Sequence, residues 1–350
     1  MDRTLLFAVG RPLSPLYCAV MRLRESLYNA GMLRVNRVEV PVISVGNLTL
    51  GGTGKTPVVQ YIARLLLKEG LRPAIISRGY KGRAGGKVNI VSDGSSVLLD
   101  ARKAGDEPRL LAETLQGVPV LTGPARTHPA RKAVEYGAGV LILDDGFQHL
   151  ALARDIDLVL FHADTLAGNS RVFPGGDLRE PVKALNRSHA FILTNTCDRN
   201  RERAARFADL LTRRFPGRPV FLAEYLPTLA VSSADGSWDR ETAIEEIRGK
   251  ALFAFAGIAF PGRFAQTLND LQLQIRGFIP LADHQRYGRS NLAEILRQAK
   301  NAGAEACITT EKDMVKLKGL RPSMPIYALR MEARLDEDFH AFLTGLLRSA

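Results

Sequence analysis

The stretch ISVGNLTLGGTGKTPVV, residues 43–59, constrains the fold more than any other feature of the chain. An apolar, β-rich run leads into a glycine turn, and a lysine then opens a helical stretch. A phosphate-binding loop reads Gly, four free residues, Gly-Lys-Ser/Thr. Gly54, Lys55 and Thr56 match, but Thr49 stands where the first glycine belongs. A β-branched residue resists positive φ. Gly51 and Gly52 lie inside the loop and are expected to take up the unusual angles instead. Thr49, Leu50, Gly51, Gly52, Thr53, Gly54, Lys55 and Thr56 therefore form a candidate nucleotide cradle. Backbone N–H groups and the helix N-terminus favour a phosphate there. Lys55 would reach the β- and γ-phosphates, and the Thr56 hydroxyl would serve Mg²⁺.

Around this loop, short apolar runs alternate with helical stretches. VPVISV, RPAIISRG, KVNIVSDG, VPVLTG, GVLILDDG, DIDLVLFHA and HAFILTN read as strands, with helices over about 55–69, 107–116 and 126–136. Such alternation indicates βαβ units and a parallel sheet. The expected fold is α/β: a P-loop NTPase-like parallel sheet with helices on both faces, plus a second, smaller α/β domain. The pattern restarts near Pro219, where VFLAEYLPTL, ALFAFAGIAFP, IRGFIPL, ACITTEKD and MPIYALR supply further strands. The chain thus divides into an N-terminal segment 1–39, a nucleotide-binding core 40–218 and a smaller domain 219–350 that closes over the active site.

A bound triphosphate needs an acid at a neighbouring strand end to hold or orient Mg²⁺. GVLILDDGFQH supplies Asp144 and Asp145. One has a direct or water-mediated metal role, with Asp144 favoured, and either could merely cap the turn before Gly146. Asn195-Thr196-Cys197-Asp198 has the spacing of the guanine-reading Asn-Lys-x-Asp motif, but Thr replaces the lysine whose stem packs on the base. That weakens a GTPase reading and favours a small-molecule kinase, which needs a base or orienting group for an acceptor hydroxyl. Asp106 and Glu107 open a helix, where acids also complement the macrodipole. Asp283 and His284 follow a strand of the second domain, and Arg179 and Glu180 lie in a turn-rich loop.

The formal charge of the 350 residues is +12, which favours an anionic partner: nucleic acid, a phosphorylated substrate or an anionic membrane. No nucleic-acid module is recognisable. Cys18, Cys197 and Cys307 are widely separated, without metal-ligand spacing, which fits a reducing compartment. No run of about 18 apolar residues is present. After Pro15, however, Leu16, Val20, Leu23 and Leu27 recur at helical spacing beside Tyr17 and Tyr28, with Arg22, Arg24 and Arg34 as cations. Such a helix suits a bilayer interface, or alternatively packs on its own domain.

VGNLTLGGTGKTP, SRGYKG, GDEP, LDDGFQH, LREP, DHQRYG and TTEKDMVKL occur in this order over about residues 40–318. Together they resemble the tetraacyldisaccharide 4′-kinase family, the lipid A 4′-kinases of Gram-negative bacteria. The Thr49 variation is shared with that family. The resemblance implies ATP as phosphoryl donor, Mg²⁺, and a lipid A disaccharide 1-phosphate whose 4′-hydroxyl is the acceptor. It implies Asp106 as base or orienting group and His284 as its partner across the cleft. Tyr80, Glu107, Gln148, His149, Arg179 and Glu180 would line the site. An acceptor held in the bilayer places the enzyme at the cytoplasmic face of the inner membrane, with the N-terminal helix as a peripheral, monotopic anchor. A nucleotide-dependent switch or metallochaperone is the alternative. The oligomeric state is not legible in the sequence.

Overall fold

The computed structural model describes residues 3–233 and 236–349. Two helices, α1 (Arg3–Gly10) and α2 (Ser14–Asn29), precede a first set of elements: β1 (Val42–Asn47), α3 (Lys55–Lys68), β2 (Pro73–Ser77), β3 (Asn89–Ser92), α4 (Ala101–Ala104), α5 (Asp106–Thr114), β4 (Val120–Thr122), α6 (Thr127–Glu135), β5 (Val140–Asp144), β6 (Ile156–His162), β7 (Ala190–Thr194) and α7 (Arg201–Arg214). The second set comprises β8 (Val220–Ser233), β9 (Arg240–Thr242), α8 (Ile244–Arg248), β10 (Ala251–Ala256), α9 (Pro261–Asp270), β11 (Gln274–Pro280), α10 (Arg289–Asn301), β12 (Ala306–Thr310), α11 (Glu311–Leu317), β13 (Ile326–Leu335) and α12 (Asp338–Ser349).

All strands join one sheet in the order β11-β10-β12-β13-β8-β7-β6-β1-β5-β2-β4-β3, with β9 on β8. Most pairs are parallel; β3 on β4, β13 on β8 and β9 on β8 are antiparallel. Every residue of β1 is buried, as a central strand covered on both faces requires. Its side chains alternate between layers. Ile43 and Val45 pack with α3, α5 and α12, whereas Val42 packs with Ala130 and Ala133 of α6. On the second half, Phe253 and Phe255 face α10 and α11, and Leu252 and Ala254 face α8 and α9. Helices therefore cover both faces throughout. The C-terminal α12 returns to the first half, where Phe339 and Leu343 are fully buried.

Strand β8 organises the molecule. Its first residues continue the first half, with Val220 to Ala223 parallel to β7. Its remaining length runs beyond the end of β7 and pairs antiparallel with β13, from Ala223 opposite Leu335 to Ser233 opposite Ile326. Strands β10, β11 and β12 are parallel to β13 and therefore run back toward the first half. The C-terminal edges of the two sub-sheets consequently face each other, and ligands of open parallel sheets bind at such edges.

Candidate active site

The loop after β1 is held from three sides. Thr49 pairs with Leu178 in an antiparallel bridge, the Leu50 amide donates to the Asp177 carbonyl (2.6 Å), and the Arg179 amide donates to the Leu48 carbonyl (2.7 Å). Thr194 Oγ1 at the end of β7 donates to the Thr53 carbonyl at 2.7 Å. The Tyr225 hydroxyl of β8 donates to the Gly54 carbonyl, and its ring lies where a Gly54 Cβ would be. Positive φ falls at Gly51 (+107°) and Gly54 (+70°). Gly52 is not among the residues with positive φ, so the second unusual angle belongs to the glycine that opens α3. Thr49 avoids that region, as its branched Cβ requires.

Lys55, the first residue of α3, donates to Asn47 Oδ1 at 3.1 Å and pairs with Asp145 Oδ1 at 3.2 Å. Arg179 Nη1 donates to both Asp145 oxygens, at 3.0 and 2.9 Å. Burial alone would raise the Asp145 carboxyl, but Lys55 and Arg179 outweigh it and hold it well below the usual range. Asp145 is left-handed, with φ 55°. Asp144, the last residue of β5, accepts from Ser77 Oγ at 3.0 Å. Burial first, then the Glu107 charge, push its carboxyl up to about 6 against the opposing effect of Lys55. The buried Arg126 guanidinium donates to the Asp144 and Asp145 carbonyls, at 3.3 and 2.9 Å, and its Nε has no hydrogen-bond partner among the described residues.

Across from these groups, Asp106 opens α5, and its Oδ2 lies 3.0 Å from His284 Nδ1 in a hydrogen bond. His284 is left-handed, with φ 61°, and its amide donates to the Gly257 carbonyl at 3.2 Å. The Tyr80 ring meets the imidazole edge-on, with centroids 6.0 Å apart. Glu107 pairs with Lys312 of α11 at 3.2 Å. Burial would raise the Glu107 carboxyl, but Lys312 and Lys55 bring it below its ordinary value.

One cavity of about 460 Å³ joins these parts. Leu50, Gly51, Gly52, Lys55, Tyr80, Glu107, Asp144, Asp145, Arg179 and His284 all line it, and Asp106 stands behind His284. Other expected residues take supporting places. Thr49 and Thr53 are buried in the loop, and Gly54 caps α3. Thr56 borders an adjacent, more apolar pocket with Tyr225 and Phe264. Gln148 donates to the Asn47 carbonyl at 3.0 Å and accepts from Arg179 at 3.4 Å. His149 lies behind the basic wall; burial and then Arg126 push it to about 4. Glu180 is buried and paired with Arg187, which also holds Glu25 of α2.

Sequence reasoning did not single out Arg78, Arg126 and Lys312, although all three line the cavity. Arg78 sits inside SRGYKG, but no local rule marks it. Arg126 lies between β4 and α6 and reaches the Asp144–Asp145 backbone across β2, the strand between β4 and β5 in the sheet. The donor set in the cavity beside the loop consists of two adjacent carboxylates, Asp144 and Asp145, while Thr56 borders the neighbouring pocket. Oxygen donors of this kind suit a hard divalent cation. The raised Asp144 carboxyl is a site where added positive charge would be favourable.

At the N-terminus, α2 turns its polar side to the body. Ser14 Oγ donates to the Val172 carbonyl (3.0 Å), the Tyr17 hydroxyl to the Arg179 carbonyl (3.1 Å) and Arg24 to the Gln148 carbonyl (3.0 Å). Leu13, Leu16, Val20 and Leu23 on the other side are each at least half exposed. Among the described residues no helix is long and apolar enough to cross a membrane.

Residues 6–348 match the family described as Tetraacyldisaccharide-1-P 4′-kinase. A tetraacyldisaccharide 4′-kinase of Desulfotalea psychrophila is 48% identical over 341 residues, covering 96% of this chain and 95% of that protein. One from Syntrophus aciditrophicus is 43% identical over 321 residues, covering 89% and 85%. A crystal structure of LpxK from Aquifex aeolicus in complex with ATP is similar across 99% of this chain and 100% of that one, with TM-score 0.78 and 30% identity.

Proposed function

The chain belongs to the tetraacyldisaccharide-1-P 4′-kinase family, and from that premise we propose that its opposed walls carry the γ-phosphoryl group of ATP to the 4′-hydroxyl of a tetraacyldisaccharide 1-phosphate. The protein is a kinase of lipid A biosynthesis. The observation that supports the division of labour is the convergence on one cavity of the loop lysine Lys55, the acids Asp144 and Asp145, and His284 with Asp106 behind it.

Lys55 and the amides of residues 51–55 hold the β- and γ-phosphates. Asp106 accepts the proton of the 4′-hydroxyl as that oxygen attacks the γ-phosphorus in line. The new O–P bond forms as the bridging P–O bond to ADP breaks. Phosphoryl transfer of this kind depends mainly on positioning and charge stabilisation. His284 fixes one Asp106 oxygen, and Arg78, Arg126 and Arg179 supply positive charge along the cavity wall. Asp144, Asp145 and Thr56 would hold Mg²⁺, which when bound would supply positive charge against that of the phosphates. Because Asp106 and His284 come from facing sub-sheets, closure of residues 219–350 on residues 40–218 tightens the pair and excludes water.

Helices α1 and α2 form the membrane-facing surface. With its polar side bonded to the loop that carries Arg179, α2 leaves Leu13, Leu16, Val20 and Leu23 for the acyl region of the cytoplasmic leaflet. The active site is thereby set beside an acceptor that stays in the bilayer.

The test is an assay with γ-labelled ATP or GTP and the disaccharide 1-phosphate in vesicles. Label in the lipid with ATP supports the reading; label released only as free phosphate, with GTP preferred, overturns it. In the same assay the double variant Leu16→Glu, Leu23→Glu should lose at least about 100-fold in vesicle partition, since each buried leucine contributes about 1.5–3 kcal/mol. It should keep its activity on detergent-dispersed acceptor. Unchanged partition would remove the anchor.

A further inference from the structure

The segment TTEKDMVKL has no part in the scheme above, yet it holds the most completely engaged carboxylate near the site. Asp313 is fully buried. Its Oδ2 accepts from the Gly257 amide at 3.0 Å and Thr310 Oγ1 at 2.8 Å, and its Oδ1 from the Tyr287 hydroxyl at 2.9 Å. Lys316, one turn further along α11, lies 2.7 Å from Asp313 Oδ1 and over the Tyr287 ring at 5.3 Å. Only 6% of its side chain is accessible. Its ammonium has no aligned hydrogen-bond acceptor among the described residues. In the other direction it faces Asp106, at 3.9 Å from Oδ2.

This arrangement touches both members of the reacting pair. The Gly257 peptide whose amide is fixed by Asp313 also offers the carbonyl that accepts the His284 amide. Tyr287, bonded to Asp313, anchors the same loop three residues beyond His284. Asp313 therefore braces the loop on both sides of a residue in the left-handed region, which side chains bearing a β-carbon adopt uncommonly. Lys316 faces the same Asp106 oxygen that His284 engages. No described residue hydrogen-bonds to Oδ1, which leaves that oxygen to receive the hydroxyl proton.

We propose that Lys316, held by Asp313, is a positioning residue for the phosphoryl-transfer step: it orients Asp106 so that Oδ2 is occupied from behind and Oδ1 is presented to the acceptor hydroxyl. Lys316 keeps its own protons throughout; the proton of the acceptor goes to Asp106. The inference rests on the proposed role of Asp106. It also separates the functions of the three lysines that α11 and its C-cap extend to α5. Lys312 pairs with Glu107, Lys316 faces Asp106, and Lys318 pairs with Glu113 at 2.6 Å, away from the cavity lining.

The experiment compares full-length Lys316→Met, Lys318→Met, Asp106→Ala and the double variant Asp106→Ala, Lys316→Met in lipid phosphorylation. Lys316→Met should lower kcat about 10- to 100-fold, the range that a small misplacement produces, with KM for ATP within about twofold. Lys318→Met, which breaks an ion pair of the same helix contact, should lower Tm and keep kcat within about threefold. In the Asp106→Ala background, Lys316→Met should add less than about threefold, because it acts through the missing carboxylate. The proposal is overturned if Lys316→Met retains kcat, or if it costs the same factor with and without Asp106. If Lys316→Met melts below the assay temperature, Lys316→Gln removes the charge and keeps a polar group in the buried site, and takes its place in the cycle, where a retained kcat or an equal cost in both backgrounds again overturns the proposal. An active Asp106→Ala would remove the base assignment itself; a crippled Asp106→Ala beside a fully active Lys316→Met would remove only this inference.

Discussion

The two walls of the cavity are built by opposite means. The phosphate wall starts locally: Asn47, Gly51, Gly54 and Lys55 lie within nine residues of one strand–turn–helix, and Leu178, Thr194 and Tyr225 then hold the loop from outside. The acceptor wall is long-range: Asp106 and His284 are 178 positions apart and meet only because β8 and β13 turn the second sub-sheet back on the first. The charges set against that loop remain partly open, with Asp145 and Arg179 about a third and a quarter exposed. Long-range assembly gives a wall reinforced from behind, by the buried Asp313 and Lys316. On the proposed reading, the phosphate wall awaits a ligand that brings its own charge, whereas the acceptor wall holds Asp106 in one orientation beforehand.

The largest expected effects separate the walls by what each binds. Lys55→Met and Asp106→Ala should each reduce kcat by about 10³-fold or more. Lys55→Met should also weaken ATP binding, measured by titration calorimetry, while Asp106→Ala should bind ATP as the parent does. If both variants lose ATP equally, the walls do not have separate tasks.

A smaller effect tests how local the phosphate wall is. Tyr225 belongs to β8, yet its hydroxyl bonds the Gly54 carbonyl. Tyr225→Phe keeps the ring and removes one buried hydrogen bond, a loss of about 1–1.5 kcal/mol. KM for ATP should rise by up to about tenfold. No change would mean that the loop keeps its shape by local sequence alone.

The smallest effect concerns stability at another junction of the halves. His162 ends β6 beside Arg263 of α9, and burial first, then that guanidinium, push it down to about 4. Between pH 4 and about 6.5 the unfolded chain binds a proton there that the folded chain refuses, so stability falls as pH drops through this window. At pH 5 the loss from this one group is about 1–2 kcal/mol relative to pH 7. His162→Gln should flatten that part of the Tm–pH curve, and a parallel curve for variant and parent would refute it.

Legibility in the sequence follows the same contrast. The loop, Asp144 and Asp145 could be read because a buried strand and the turn after it leave a local pattern of apolar run, glycine and acid. Asp106 and His284 could be identified only through the likeness of their motifs to a family, since each alone looks like a helix-capping acid or a surface histidine. Arg126 left no local signal, and Lys316 lies inside TTEKDMVKL, a motif to which the sequence assigned no role. Arg126 matters through two backbone carbonyls, and Lys316 through a carboxylate in the other half of the chain. The antiparallel seam between β8 and β13 was likewise hidden, because apolar strands read alike whichever way their neighbours run.

The sequence by itself determined the α/β alternation, the phosphate loop and the acids at the end of β5. Hydrophobic periodicity and backbone sterics act over a few residues and need no partner. Tertiary structure alone decided which glycine took the left-handed turn into α3, where the aromatic ring of Tyr225 excludes a side chain at Gly54. It also decided that the strand ends of two sub-sheets face each other, and so brought Asp106, His284 and the buried Lys316 to one point. Contacts between residues so far apart in the chain depend on sheet order and strand direction, which no short stretch of sequence encodes.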